Sequence, residues 1–316
     1  MSLRSGFACI IGRPNAGKST LLNALAGEKL AIVSPKPQTT RNRVLGVIHV
    51  PKQKGRPGAQ VILIDTPGVH RPESSLGRKM MSEVRAALEG CDVVLMIADA
   101  AKKTDSSDQF LPDLVKRSNT PAFLLLNKID LLKGEKRKLL PLIEQYAALR
   151  RFQEIIPISA RRREGLDVLL DRLIRALPEG PHYFPEDQVT DQPSRFMAAE
   201  LIREQVLFAT SEEVPHSTTV MVEQFEEGTK LARIAAMIYC ERDSQKGILI
   251  GRQGQMLKKI GTAARLEIER MLGKKVFLEL FVKVRANWRE SRGFVEELDW
   301  RKQLEHLVVA NAKPEA

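Results

Sequence analysis

Only three cysteines occur in 316 residues, at Cys9, Cys91 and Cys240. They have neither C-x-x-C nor metal-ligand spacing, and an odd, scattered set argues against a disulfide framework. Each lies in an apolar or strand-like context, as expected for buried thiols in a reducing cytoplasm. Aromatic residues make up just 5% of the chain, so the cores must be mainly aliphatic. No apolar run approaches the roughly 18 residues of a membrane span, and the N-terminus lacks the charged lead and long apolar stretch of a signal peptide. No internal repeat is present. Acidic excess is also missing: 50 Lys and Arg face 39 Asp and Glu, giving a net charge of +11 and a pI near 9.6. Such a chain favours polyanionic partners.

What is present begins with a string of the form GxxxxGKS: Gly12, Arg13, Pro14, Asn15, Ala16, Gly17, Lys18 and Ser19, followed by Thr20. It lies between an apolar run, Phe7 to Ile11, that reads as a strand and a stretch from Thr20 that reads as a helix. A glycine-rich loop in that setting aims consecutive backbone amides at a phosphate. Lys18 supplies a cation for the β- and γ-phosphates, and the Ser19 hydroxyl is a hard oxygen ligand for Mg²⁺.

Two further strings follow in order. Val61 to Ile64 reads as a buried strand that delivers Asp65, Thr66, Pro67 and Gly68, with Val69 after them. Asp65 is expected in the Mg²⁺ shell and Gly68 is expected to offer its amide to the γ-phosphate. Phe123 to Leu126 reads as another buried strand ending in Asn127, Lys128 and Asp130. A carboxylate at Asp130 can accept from the ring N–H and exocyclic amine of guanine, a donor pair that adenine lacks, which selects GTP. The stem of Lys128 can cover the base. Beyond a strand over 155–158, the amides of Ser159 and Ala160 are placed to reach the guanine carbonyl. The proline-rich stretch from Ser34 to Asn42 reads as a loop that orders around Mg²⁺ and the γ-phosphate. Thr40 is the expected ligand there, with Thr39 as the alternative.

Residues 5 to about 175 alternate short apolar strands with amphipathic helices, the pattern of a doubly wound α/β sheet. A helix is expected over 75–89, a strand over 92–98 and a closing helix from Leu166. The organisation expected is a GTP-binding domain over 1–178, a proline-rich acidic linker over 179–193 and a second domain over 194–316. In that second domain the order is helix, strand, strand, helix, helix, strand, with Gly251-Arg-Gln-Gly254 between the helices. This resembles a type II KH domain, a smaller α+β fold whose GxxG loop clamps a single-stranded nucleic-acid backbone. Charge agrees with that. Residues 194–241 carry four basic against eight acidic side chains, whereas 242–292 carry thirteen against five. The expected RNA contacts are Lys246, Gly251, Arg252, Gln253, Gly254, Lys258, Lys259, Lys283 and Arg285. A last helix is expected over 287–303. Its Trp288, Phe294 and Trp300 have two roles open, core packing or stacking on a base.

Taken together, the strings GRPNAGKST, KPQTTR, DTPGVHRP, NKID and ISA, with SQKGILIGRQGQMLKKIG beyond them, resemble the TRAFAC-class GTPases and within them the Era family. The resemblance spans roughly residues 5 to 300. It implies a Mg²⁺-dependent GTP hydrolase, a P-loop GTPase, that cycles between GTP and GDP. It also implies binding of the 3′ end of small-subunit rRNA and assistance to small-subunit maturation in the cytoplasm, with no DNA partner. A peripheral contact with the inner membrane, and a membrane-associated signalling switch, form the alternative. Departures are few: Ala16 replaces a frequent valine, and 51–58 looks like a short basic insertion. Val69 stands where regulatory GTPases place a water-positioning glutamine. In some relatives the equivalent of Asn15 is associated with potassium. For Asn15 two roles stay open, holding such an ion or stabilising the loop.

Overall fold

The computed structural model describes residues 3–69, 73–102, 110–116, 120–132, 135–149 and 152–311. His70, Arg71 and Pro72 of the second string lie outside these. The chain divides into two compact units, Met1–Arg71 with Met80–Asp191, and Pro72–Lys79 with Gln192–Ala316.

The first unit contains β1 (Arg4–Gly12), α1 (Lys18–Ala26), β2 (Val44–Val50) and β3 (Ala59–Asp65). Next in sequence come α2 (Ser75–Glu89), which belongs to this unit from Met80 onward, β4 (Val93–Asp99), α3 (Phe110–Lys116) and β5 (Ala122–Asn127), then α4 (Leu139–Leu149), β6 (Glu154–Pro157) and α5 (Leu166–Ala176). The six strands order as β2-β3-β1-β4-β5-β6, and only β2 runs antiparallel to its neighbour. All seven residues of β3 and all six of β5 are buried, as strands covered on both faces require. Alternation within β1 divides the core. Ala8 and Ile10 join one cluster with Leu21, Leu22, Leu169 and Leu173; Cys9 and Ile11 join another with Met81, Val84, Leu88 and Leu111. That is the doubly wound arrangement. The strand order reverses at β1, between β3 and β4, so a crevice opens at the carboxyl ends of these strands.

The segment expected to be a linker is bound along the edge of this sheet. Glu179 bridges to Arg4, Val189 accepts from Val47 N–H at 2.9 Å, and the Thr190 hydroxyl donates to Leu45 O at 2.6 Å. Edge strand β2 therefore gains partners for its backbone. Behind it, the fully buried Gln60 accepts from the amides of Tyr183 (2.7 Å) and Phe184 (3.1 Å) and donates to Phe184 O (2.7 Å). A buried amide with three backbone partners thus holds this proline-rich segment against the sheet.

The second unit holds α6 (Ser194–Ala209), β7 (Thr219–Glu227), β8 (Leu231–Cys240), α7 (Asp243–Ile250), α8 (Gln255–Leu272) and β9 (Lys275–Val284). Its sheet orders β7-β8-β9, with β8 antiparallel to β7 and parallel to β9. The even-numbered residues Ala232 to Cys240 pack against α6 and α8 through Ile202, Val206, Ile260, Ala264 and Ile268. The single helix expected over 287–303 is instead two, α9 (Arg292–Glu297) and α10 (Trp300–Asn311). Ser291 caps the first by accepting from Phe294 N–H, and Asp299 accepts from Arg301 N–H at 3.1 Å where the second begins. Short polar side chains that bond forward to the backbone start helices rather than continue them. Trp288 precedes both; it is fully buried and its indole donates to Ser217 O at 2.8 Å. Phe294 and Trp300 are buried too, so these aromatics are core. Among the described residues, no helix is long and apolar enough to cross a membrane.

Replacing Gln60 with leucine removes the acceptor of the Tyr183 and Phe184 amides and the donor to Phe184 O, a loss of about 0.5–1.5 kcal/mol per bond. In Gln60→Leu, residues 179–190 should detach, and cleavage after Glu179 and Glu186 by a Glu-specific protease should accelerate about tenfold. Cleavage at the wild-type rate would disprove the clamp.

Candidate nucleotide site and nucleic-acid groove

Four of the five strings of the first unit leave the carboxyl end of a strand; the fifth, over 36–41, lies between α1 and β2. Gly12 ends β1, Asp65 ends β3, Asn127 ends β5, and Ser159 follows β6. They surround a cavity of about 490 Å³ lined by Pro14, Asn15, Gly17, Lys18, Ser19, Thr20, Thr40, Gly68 and Lys128. Lys18 starts α1 behind Gly17, whose φ of 102° is a left-handed conformation that favours glycine. A methyl group at Gly17 would also stand 2.2 Å from Asn127 Nδ2. Gly68 lies against Pro14 so closely that a Cβ would approach its backbone to 2.8 Å.

Three hard oxygens meet beneath the loop. Ser19 Oγ donates to Asp65 Oδ2 at 2.6 Å and lies 2.8 Å from Thr40 Oγ1, which is 3.5 Å from the same carboxylate oxygen. Thr39 is turned elsewhere, its hydroxyl donating to Lys36 O at 2.6 Å. The second Asp65 oxygen, Oδ1, is buried without a hydrogen-bond partner. An orphaned carboxylate oxygen beside two hydroxyls fits a small divalent cation such as Mg²⁺. Burial pushes the Asp65 pKa up to about 6, although Lys18 and the two hydroxyls oppose it. Burial likewise lowers Lys18 to about 8 against the attraction of Asp65. Lys18 Nζ meanwhile donates to the Gly12 and Arg13 carbonyls at 3.1 and 2.9 Å. Both charges are held out of water with too little compensation, which a bound phosphate and its metal would supply.

At the other end, Asn127 acts between loops. Its Nδ2 donates to Ala16 O at 2.8 Å and its Oδ1 accepts from Ala160 N–H at 3.0 Å. Lys128 forms an ion pair with Asp99 at 2.7 Å, and Ser159 Oγ donates to Asp130 at 2.7 Å. Asn15 donates to Pro35 O at 2.6 Å, the loop-stabilising role. Several expected residues point away from the cavity. Thr66 is buried and donates to Ile10 O, Ala16 sits in the core, and Val69 packs among Ile64, Met81 and Val84 with its amide on Gly12 O. A valine held in the core cannot position a water. The cavity also reaches residues that the sequence did not single out for it: Ile32, Val33, Lys102 and Arg161. Arg161 directly follows Ala160, and that adjacency was a usable signal. Lys102 becomes adjacent only through the β4–β5 pairing.

In the second unit, Gly251 (φ 69°), Gln253 (φ 51°) and Gly254 (φ 77°) make the tight turn between α7 and α8. No side chain caps the N-terminus of α8. Its amides are thus open to a phosphate. A groove of about 320 Å³ runs from Gly254 along Leu257, Lys258, Gly261, Thr262 and Arg265 to Leu278 and Leu280 of β9. Residues 254, 257, 258, 261, 262 and 265 share one helical face, so spacing alone could have found them. Lys283 and Arg285 do not join this groove. Leu278 and Leu280 face α8, so pleating sends Lys283 to the opposite face. Arg285 lies 3.8 Å over the Phe294 ring.

Both units are similar to known proteins. Residues 7–128 match the family model described as 50S ribosome-binding GTPase, and 213–289 match that of the KH domain. The chain is similar to GTPase Era of Ruminiclostridium cellulolyticum, 48% identical over 95% of this chain and 99% of that one. GTPase Era of Geobacter metallireducens is 50% identical over 94% and 98%. Among solved structures, a point variant of Aquifex aeolicus Era bound to GDP·AlF₄⁻ is 40% identical, with a TM-score of 0.88 over 94% of this chain and 99% of that one. Era in complex with MgGDPNP and nucleotides 1506–1542 of 16S ribosomal RNA matches at the same identity and coverage, with a TM-score of 0.89.

A carboxylate ligates a metal only when ionised, and proton and metal compete for it. GTP turnover at limiting Mg²⁺ should therefore fall as pH drops through about 6, where Asp65 takes up its proton. Excess Mg²⁺ should restore it. A pH profile indifferent to Mg²⁺ would rule out Asp65 as the ligand.

Proposed function

Since this chain belongs to the Era family of GTPases, and is a GTP hydrolase, we propose that it couples GTP state to binding of the 3′ end of small-subunit rRNA. In this role it assists rRNA processing and small-subunit assembly. The observation that carries the reading is the relative holding MgGDPNP and 16S rRNA nucleotides together, matched over 99% of its chain. In this chain the cavity at the N-terminus of α1 and the groove along α8 support that reading.

Within the nucleotide site, Ser19, Thr40 and Asp65 would hold Mg²⁺, which supplies charge neutralisation on the phosphate oxygens. The loop amides and Lys18 bind and orient the phosphates. Asp130 selects guanine and the stem of Lys128 covers the base, whereas the Ser159 and Ala160 amides are held by Glu164 O and Asn127 Oδ1. Gly68 permits its strand end to close on Pro14 and present an amide to the γ-phosphate. Thr40 and Gly68 report the presence of that phosphate.

With Val69 in the core, no glutamine orients the attacking water from that position, and intrinsic turnover should be slow. A potassium ion beside the phosphates belongs to the same proposal, held through the Asn15 carbonyl oxygen. Its amide nitrogen is already engaged by Pro35. Such an ion would act where other GTPases use an arginine. Turnover should be several-fold faster in potassium than in sodium buffer, and equal rates would remove the ion from the mechanism.

Coupling between the sites is reciprocal by thermodynamic necessity. A single-stranded oligonucleotide from the rRNA 3′ end should bind about tenfold tighter with a GTP analogue than with GDP, and should tighten the analogue by the same factor. Binding blind to nucleotide would refute the coupling.

A further inference from the structure

Strand β9 carries two sets of side chains, and only one set is accounted for by the α8 groove. Leu278 and Leu280 line that groove, while Phe277 and Phe281 project from the opposite face of the sheet, 50% and 51% exposed. The parallel register sets Arg233 beside Phe277, Ala235 beside Glu279, Met237 beside Phe281 and Tyr239 beside Lys283. Met221 lies across from Met237 on β7. At one end, Phe294 covers this face by packing edge-on to Tyr239 at 5.0 Å, and Arg285 lies over Phe294. The rest is left open. Two half-exposed phenylalanines on one strand, with methionines between the rows, are more apolar surface than an ordinary solvated sheet presents.

We propose that Phe277 and Phe281 form a base-stacking platform for single-stranded RNA that runs from the α8 groove over the edge of β9. The inference rests on the RNA-binding reading of that groove and extends its footprint. Continuity argues for RNA, because β9 is the edge strand and adjacent residues serve the two faces. Spacing argues for it as well: four residues at about 3.3 Å each put the rings roughly 13 Å apart, room for a base on each. Charge on this face is mixed. Arg233 lies 6.0 Å from the Phe277 ring, and Lys275 and Lys283 flank the row on β9. The carboxylates are Glu279 between the rings, Glu226 opposite Arg233, and Glu223, which accepts from the Tyr239 hydroxyl at 3.3 Å. An acceptor at Glu279 can take the exocyclic amine of a stacked base. Stacking on aromatic rings tolerates any base, so the platform adds affinity with little sequence preference.

The test uses the full chain and two labelled RNAs from the small-subunit rRNA 3′ end. A five-nucleotide strand suffices for a KH groove, which holds about four backbone nucleotides, and a twelve-nucleotide strand reaches past it. Phe277→Ala with Phe281→Ala should leave the short RNA within about twofold of wild type and weaken the long one at least about tenfold. The double leucine variant, which keeps the apolar surface but not the rings, should also weaken the long RNA. Long-RNA binding at wild-type affinity in either variant would overturn the platform. So would retention of the long RNA with loss of binding to intact small subunits, which would assign the face to a protein. If wild type fails to bind the short RNA, the groove reading itself falls.

Discussion

A single buried amide ties the nucleotide site together. Asn127 donates to the phosphate loop at Ala16 and accepts from Ala160, so one side chain fixes the distance between the loop for phosphate and the loop for guanine. Gly17 is bound to the same constraint, because its left-handed backbone lies where a Cβ would meet that amide. The loops after β1 and β6 are thus tied to one hydrogen-bonded hub at the end of a fully buried strand. A buried amide satisfied on both sides is rigid, and losing either partner leaves a polar atom unsatisfied.

Around that hub the site holds charge at a cost. Lys18 and Asp65 are both buried, each shifted toward its neutral form, and neither fully compensates the other. The orphaned Asp65 oxygen marks where a cation is wanted, and the open end of α1 marks where an anion is. A ligand that brings phosphate and metal together relieves both. Thr40 and Gly68 touch the phosphate loop through short contacts, to Ser19 and Pro14.

The second unit solves a different problem with the same economy. Gly261 lets α8 lie close to Leu280, and the cleft left beside them is walled by aliphatic side chains with Lys258 and Arg265 at the rim. Pleating on edge strand β9 then gives two faces from one segment. Its leucines serve the groove, and its phenylalanines and Lys283 turn the other way.

The ordered strings of residues 12–19, 65–68 and 127–130 determined the nucleotide, because each residue type has one chemical use at that spacing, and strands buried on both faces announced the sheet between them. The helix–strand order and the GxxG turn likewise determined the second fold. Contacts distant in sequence were decided only by the tertiary structure. Gln60 binding 183–184, the outward turn of Lys283, the engagement of Asn15 with Pro35 and the burial of Val69 all depend on which elements become neighbours. Local pattern fixes what a side chain can do. Packing fixes what it meets, since burial and hydrogen-bond partners are supplied by residues far along the chain.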